Sequence, residues 1–209
     1  MSQLQSNTCE YIEAALTSGF KCIAGVDEVG RGPLAGPVVA AACILPEGFS
    51  HPDLKDSKKL SPAKRKGIVQ LLKMTPGFFY GIGVIESDEI DKINILQASL
   101  KAMVLAVREL TLLPDYLLID GNRTPLIDIA SEAIIKGDSK CPSISAASNI
   151  AKVYRDDLMD DYHKKWPQYG FDSHRGYPTK AHLNALTLHG PLAVHRHSFG
   201  PIKKFVEGI

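Results

Sequence analysis

Lys21-Cys22-Ile23-Ala24-Gly25-Val26-Asp27-Glu28-Val29 leads into Gly30-Arg31-Gly32-Pro33-Leu34-Ala35-Gly36-Pro37 and then into Val38-Val39-Ala40-Ala41-Ala42-Cys43-Ile44-Leu45. Lys21 to Glu28 reads as a strand that ends in two acids. The eight residues from Gly30 form a glycine- and proline-rich loop. Val38 to Leu45 is apolar throughout and rich in small and β-branched residues, which predicts a buried strand. Two strands joined by so rigid and so open a loop place a pair of carboxylates beside backbone that a ligand can approach closely.

Outward from there, Tyr11, Ile12, Ala15 and Leu16 recur at helical spacing before Phe20. On the other side, a short helix (Ser61 to Leu72) precedes a third strand, Phe78 to Ile85. Ser87 can cap the next helix, with Asp88 and Glu89 at its positive end. Ile93, Leu96, Leu100, Met103, Val104, Val107 and Leu110 carry its apolar stripe to Leu112, and Pro114 stops it. Tyr116 to Asp120 and Ala133 to Ile135 read as strands. Ser145 to Lys165 and Thr179 to His189 read as helices, parted by a loop containing proline and glycine. Three early strands, a helix, two more strands and then helices predict an α/β fold, a mixed sheet with helices packed on it. No repeat or linker marks a boundary, so one domain is expected over 1–209, with a core at 20–165 and a helical C-terminal portion at 166–209.

Of the 209 residues 44% are hydrophobic and 22% charged, enough apolar material for one sizeable core. A net charge of +1 leaves a nucleic-acid partner open, because basic and acidic residues can segregate to different faces. Cys9, Cys22, Cys43 and Cys141 form no Cys-x-x-Cys pair, so packed, reduced thiols are expected. The longest apolar run is far shorter than the roughly 20 residues a membrane span needs. The start of the chain lacks a signal peptide's pattern, so a cytoplasmic protein is expected. Gly30-x-Gly32-x-x-x-Gly36 is followed by a strand and not a helix, which excludes a dinucleotide loop.

Two more carboxylate positions share the pattern of Asp27-Glu28. Asp120 ends Leu117-Leu118-Ile119, and Asp138 follows Ile134-Ile135-Lys136-Gly137. Any one of these aspartates alone is most simply a turn former or cap. Together, as acids at the carboxyl ends of buried strands, they would repel one another unless cations compensate. Hard oxygen donors select Mg²⁺ or Mn²⁺. Adjacent strand residues face opposite ways, so Asp27 and Glu28 converge only if the chain turns at Glu28. Asp88, Glu89 and Asp91 read as a cap and a solvated face. Asp156, Asp157, Asp160 and Asp161 read as a helix surface shared with Lys152, Arg155, Lys164 and Lys165.

The run Asp27 to Pro37 resembles the signature of the type 2 ribonucleases H. Further segments agree in order: Asp56 to Leu60, Asp120-Gly121-Asn122-Arg123, Lys136-Gly137-Asp138, Ile144 to Ser148, Ala151-Lys152-Val153, His174-Arg175-Gly176-Tyr177 and His195 to Phe199. Nothing resembling the extra N-terminal domain of ribonuclease HIII precedes the first motif, so bacterial ribonuclease HII is the closer likeness. The resemblance implies a ribonuclease H-like fold, with a five-stranded mixed sheet flanked by helices and a helical C-terminal portion. It implies catalytic and metal-binding roles for Asp27, Glu28, Asp120 and Asp138, with Mg²⁺ or Mn²⁺ as cofactor. It implies substrate binding by Gly30, Arg31, Gly32, Lys58 and Tyr177: backbone sensing of a ribose 2′-hydroxyl by Gly30-Arg31-Gly32, and stacking of the Tyr177 ring on the neighbouring deoxyribose. The implied partners are RNA–DNA hybrid and ribonucleotide-containing duplex DNA, bound by a monomer with no membrane involved. Cleavage would fall 5′ of a ribonucleotide and leave 5′-phosphate and 3′-hydroxyl ends, in ribonucleotide excision repair. Asn149 departs from the isoleucine common in that motif and needs a hydrogen-bond partner if buried.

Lys58, Lys59, Lys64, Arg65 and Lys66 form the densest basic stretch. Arg31, Lys152, Arg155, His174, Arg175, Arg196, Lys203 and Lys204 are further candidates for phosphate contact. Lys64 to Lys66 read as a solvated face. Two readings compete with the nuclease: a hybrid-binding protein without catalysis, and another phosphoryl-transfer enzyme of the same fold. Only a ribonucleotide-sensing enzyme needs Gly30-Arg31-Gly32 and Tyr177.

Overall fold

The computed structural model describes residues 9–55 and 60–207. Five strands form one mixed sheet: β1 (Ile23–Val29), β2 (Val38–Ile44), β3 (Phe79–Ile85), β4 (Tyr116–Asp120) and β5 (Ala130–Ile134). Their order across the sheet is β3-β2-β1-β4-β5. β1, β2 and β3 pair antiparallel, whereas β1–β4 and β4–β5 are parallel. β2 is buried along its whole length, as an unbroken apolar sequence requires.

Helix α1 (Glu10–Thr17) precedes the sheet, and α2 (Pro62–Met74) lies between β2 and β3. The two long helices α3 (Ser87–Arg108) and α4 (Pro142–Lys165) cover its two faces. Ala24, Val26, Ala40, Ala42, Leu117 and Ile119 pack with Ala98, Ala102 and Ala106 of α3. On the other face Val39, Ala41 and Cys43 pack with Ala147, Ile150 and Ala151 of α4. Both helices sit close because the sheet offers glycine beneath them. A Cβ on Gly25 would come within 2.2 Å of the Ser143 carbonyl carbon, and one on Gly83 within 2.0 Å of Ala102 O.

Short helices α5 (Phe171–His174), α6 (Lys180–His189) and α7 (Gly200–Glu207) form the C-terminal portion. Tyr169, Phe171, Leu186 and Ile202 close a further core there. It also takes in Met159 of α4 and Leu34 and Ala35 of the glycine loop.

Several boundaries differ from the sequence reading. The residue preceding α3 is Glu86; Ser87 lies inside the helix, buried, and donates to Ala193 O at 3.0 Å. Asn94 interrupts α3 with φ 66° and ψ 163°, and its side chain accepts from the Leu96 and Gln97 N–H groups. The second half of the helix thus carries its own cap, and it ends at Arg108, short of Leu112. β5 starts at Ala130, because pairing with β4 sets its register and its own alternating sequence leaves every other residue exposed. Asn149 is buried. Its amide donates to Ser145 O at 2.8 Å, and its Oδ1 has no partner.

Candidate active site

Asp27 and Asp120 lie side by side at the carboxyl ends of the parallel strands β1 and β4, where Val26 pairs with Ile119. Gly25, which points the same way as Asp27, meets α4 at Ser143 and Ile144. Leu118, which points the same way as Asp120, packs on Ile144. Both carboxylates therefore face the start of α4, where the Ser148 hydroxyl favours the charged form of Asp27. Asp138 reaches the same end of the sheet by a different route from the expected strand end. The chain leaves β5 at Ile134, turns left-handed at Lys136 (φ 57°) and enters a 3-10 turn, Gly137–Ser139. There Asp138 is buried, and its N–H donates to Asp120 Oδ1 at 3.3 Å.

Glu28 departs from this group. β1 continues through Glu28 to Val29, and the turn comes at Gly30 (φ 95°), so the Glu28 side chain leaves the opposite face of the strand from Asp27. Its Oε1 accepts from Arg31 Nη1 at 3.1 Å, its N–H donates to Asp27 Oδ1 at 2.7 Å, and its buried Oε2 has no partner. As they stand, no three His, Cys, Asp or Glu side chains among the described residues are arranged to hold a metal ion.

The electrostatics still couple the acids. Burial pushes the Asp27 carboxyl well above the usual carboxylate range, and the charges of Glu28 and Asp120 push it further. Burial also raises Glu28, with the Arg31 guanidinium working against it and Asp120 adding to it. A divalent cation would relieve this crowding. The donors are all hard carboxylate oxygens, and the partnerless Glu28 Oε2 is free to turn towards one, so the residues present fit Mg²⁺ or Mn²⁺.

Beside the acids lies the glycine loop, with Tyr177 against it. A Cβ on Gly32 would sit 3.4 Å from Tyr177 Cε1, so the exposed ring and the Gly32 backbone form one surface. Arg31 is half-exposed next to them. Gly30, Arg31, Gly32 and Tyr177 thus come together at the edge of the acidic site. Lys58 lies outside the described residues.

The basic residues divide differently from the sequence reading. Arg155 and Arg196 are fully buried and do not reach a phosphate. Arg155 donates to Pro37 O, Ala35 O and Arg175 O; Arg196 donates to Gly30 O, Arg31 O and Gly36 O. Their guanidiniums satisfy the inward carbonyls of a loop too irregular to satisfy its own. His174 is buried as well, and Arg175 is engaged with Asp160 and Asp156. Lys152 pairs with Asp156 and Lys66 with Asp157. Asp91, read as part of a solvated face, accepts from His197 N and from the Ser198 N–H and hydroxyl, and so ties α3 to the C-terminal segment. A sequence signal for Arg155 existed: Ala147, Ala151, Arg155 and Met159 form an i, i+4 stripe whose other members are apolar.

The family model for ribonuclease HII matches residues 24–201. The chain is 55% identical over 194 residues to the ribonuclease HII of Chlamydia caviae, covering 93% of this chain and 91% of that one. Among solved structures it resembles the ribonuclease H2 of Pyrococcus horikoshii, with a TM-score of 0.73, 26% identity, and coverage of 90% of this chain and 98% of that one. It shares its fold with Bst-RNase HIII, solved in complex with Mn²⁺, at a TM-score of 0.67 and 19% identity, covering 93% of this chain and 72% of that one.

Proposed function

The chain belongs to the ribonuclease HII family, and from that premise we propose that it is a metal-dependent endoribonuclease that hydrolyses the RNA strand of RNA–DNA hybrids. It also cuts 5′ of single ribonucleotides embedded in duplex DNA, leaving 5′-phosphate and 3′-hydroxyl ends. The observation that carries this reading is a juxtaposition: the carboxylates at the ends of β1 and β4 border the surface made by Gly32 and Tyr177. A nuclease needs the first, and an enzyme that senses a ribose needs the second.

Asp27, Glu28, Asp120 and Asp138 would hold Mg²⁺ or Mn²⁺, which as a pair would stabilise charge on the attacking and leaving oxygens of an in-line displacement. The glycine loop does the discriminating. Without side chains at Gly30 and Gly32 the backbone can approach a 2′-hydroxyl, the group that separates RNA from DNA. The Tyr177 ring offers a flat face to the adjacent deoxyribose, and Arg31 and Lys58 supply charge for the backbone phosphates. Because Arg196 and Arg155 hold the loop carbonyls from within, the N–H groups that would meet the sugar are set in place before it arrives. The chain acts as one domain and as a monomer, in the cytoplasm, in ribonucleotide excision repair. None of the helices among the described residues is long and apolar enough to cross a membrane.

The test uses a labelled DNA duplex carrying one ribonucleotide, with Mg²⁺ or Mn²⁺ and then with chelator. An all-DNA duplex and an Asp120→Asn variant serve as controls. Metal-dependent cutting 5′ of the ribonucleotide, lost in Asp120→Asn, is the expected result. Binding without cutting would mean a hybrid-binding protein, and equal cutting of all-DNA duplex would end the ribonucleotide-sensing role of Gly30 to Gly32 and Tyr177.

A further inference from the structure

Behind Tyr177 lie three buried histidines, His174, His182 and His195, that the proposed chemistry does not use. Every one of their ring nitrogens has a partner. His195 Nδ1 lies 2.8 Å from the Leu192 N–H and a longer 3.3 Å from Leu192 O; the shorter contact, in which the N–H donates to Nδ1, puts the His195 proton on Nε2. Nε2 lies 3.1 Å from His182 Nε2, and that nitrogen must accept. His182 is then protonated on Nδ1, which donates to Tyr177 O at 3.0 Å. Both ends of the chain, a backbone N–H and a backbone carbonyl, demand the same pair of tautomers. His174 completes the cluster: its ring stacks on His182 with centroids 4.4 Å apart, its Nδ1 accepts from the Gly176 N–H, and its Nε2 donates to Tyr169 O. Gly176 O in turn accepts from the Leu34 N–H of the glycine loop at 2.7 Å.

We propose that His195 and His182 form a one-directional hydrogen-bonded relay of neutral imidazoles, braced by the His174 ring stacked on His182, that positions Tyr177 over Gly32, and that these are specificity-determining positioning residues. The inference rests on the reading of Tyr177 as a sugar contact. Two buried imidazoles are a costly way to fill space, because each polar nitrogen must be matched. Here the matching fixes the orientation of each ring, and the last member of the relay holds the carbonyl of the residue whose side chain faces the loop. Apolar residues of similar volume would fill the space without fixing Tyr177.

The first measurement is a ¹⁵N–¹H correlation spectrum of the metal-free protein at neutral pH. It should show His182 protonated on Nδ1 only and His195 on Nε2 only. The reverse pattern, or averaging between the two, would overturn the relay without any reference to activity. The second is a double-mutant cycle read as KM and kcat on duplex DNA with one ribonucleotide. His182→Leu should raise KM by on the order of 10-fold to 100-fold with a smaller change in kcat. His182→Asn, whose amide can still donate to Tyr177 O, should recover much of that loss. In a Tyr177→Ala background His182→Leu should add nothing. Additive losses, or His182→Asn as poor as His182→Leu, would overturn the positioning role and leave the proposed function standing. If Tyr177→Ala alone cuts as well as the parent, the sugar-contact reading fails and this inference falls with it.

Discussion

Asp27 holds a charge that the fold works against, since it is buried and has Glu28 and Asp120 for neighbours. A carboxyl in that setting binds a proton more readily folded than unfolded, so it lowers stability above its raised pKa and adds to stability as pH falls through it. Asp27→Asn removes the repelled charge. It is expected to raise the thermal midpoint in chelator by a few degrees while abolishing cleavage. In the parent, Mg²⁺ or Mn²⁺ should stabilise as RT ln(1 + [L]/Kd), about 2.7 kcal/mol at a hundredfold Kd, and calorimetry should find that gain missing from the variant. The histidines behave in the opposite sense. Burial pushes His182 and His195 down to about 4, and the neighbouring imidazole charges add to the shift. Unfolded, they titrate near the ordinary value of about 6.5. The unfolded chain therefore binds the extra protons between those limits. The stability they confer is complete above about pH 6.5 and declines as pH falls towards about 4, by up to about 1.4 kcal/mol per pH unit for each ring. Urea midpoints across that window should show a shallower loss for His182→Asn than for the parent, and equal slopes would mean that His182 is not held neutral.

At the scale of elements, glycine decides how closely the two long helices sit on the sheet. Gly83→Ala would drive a Cβ to within 2.0 Å of Ala102 O, a backbone atom with little freedom to move. A loss of about 1–3 kcal/mol or more is expected from denaturant unfolding. Gly67 is the opposite case, an exposed position inside α2 with nothing within 4 Å of an added Cβ. Gly67→Ala should stabilise by about 0.5–1 kcal/mol through helix propensity and a less flexible unfolded chain. The two substitutions are the same on paper, and opposite signs would tie the difference to packing. The same contrast shows what the sequence made legible. The runs in β1, β2 and β3 and the stripes of α3 and α4 could be read because their apolar patterns match their burial. β5 could be placed only approximately, because its sequence alternates as a half-exposed edge strand and its register comes from β4. The turn that takes Asp138 out of the strand has its left-handed residue at Lys136 and not at the adjacent Gly137, so its geometry could not be read from the glycine. The break at Asn94 was hidden inside an unbroken helical stripe.

Across the whole molecule, the candidate site depends on contacts between distant parts of the chain. Asp27 and Asp120 lie at the strand ends where the sequence reading put them, whereas Asp138 follows a turn beyond β5 and Glu28 leaves the other face of β1. The two arginines that support the glycine loop could not be read, because a cation in a polar-looking motif reads as a phosphate contact until its burial is known. Arg196 bonds Gly30 O from 166 positions away, and His195 forms an isolated antiparallel bridge with Ala35. The glycine loop is thus held from behind by the C-terminal segment, so the sheet and the C-terminal helices should unfold together. Trp166, the single tryptophan, lies against Tyr162 at the start of the C-terminal portion and reports on that region. Its fluorescence and far-UV circular dichroism should give coincident transitions in the parent protein. Arg196→Met keeps much of the volume but leaves the buried carbonyls of Gly30, Arg31 and Gly36 without that donor. A loss on the order of 3 kcal/mol is expected, because each orphaned buried acceptor costs about 1–3 kcal/mol and relaxation recovers part of it. Under conditions where the variant stays folded, its metal-dependent stabilisation should match the parent's, since the carboxylates are untouched, while cleavage of the single-ribonucleotide duplex falls. Two separate transitions in the parent would refute the single folding unit. Unimpaired cleavage by folded Arg196→Met would show that the loop keeps its shape without support from the C-terminal segment.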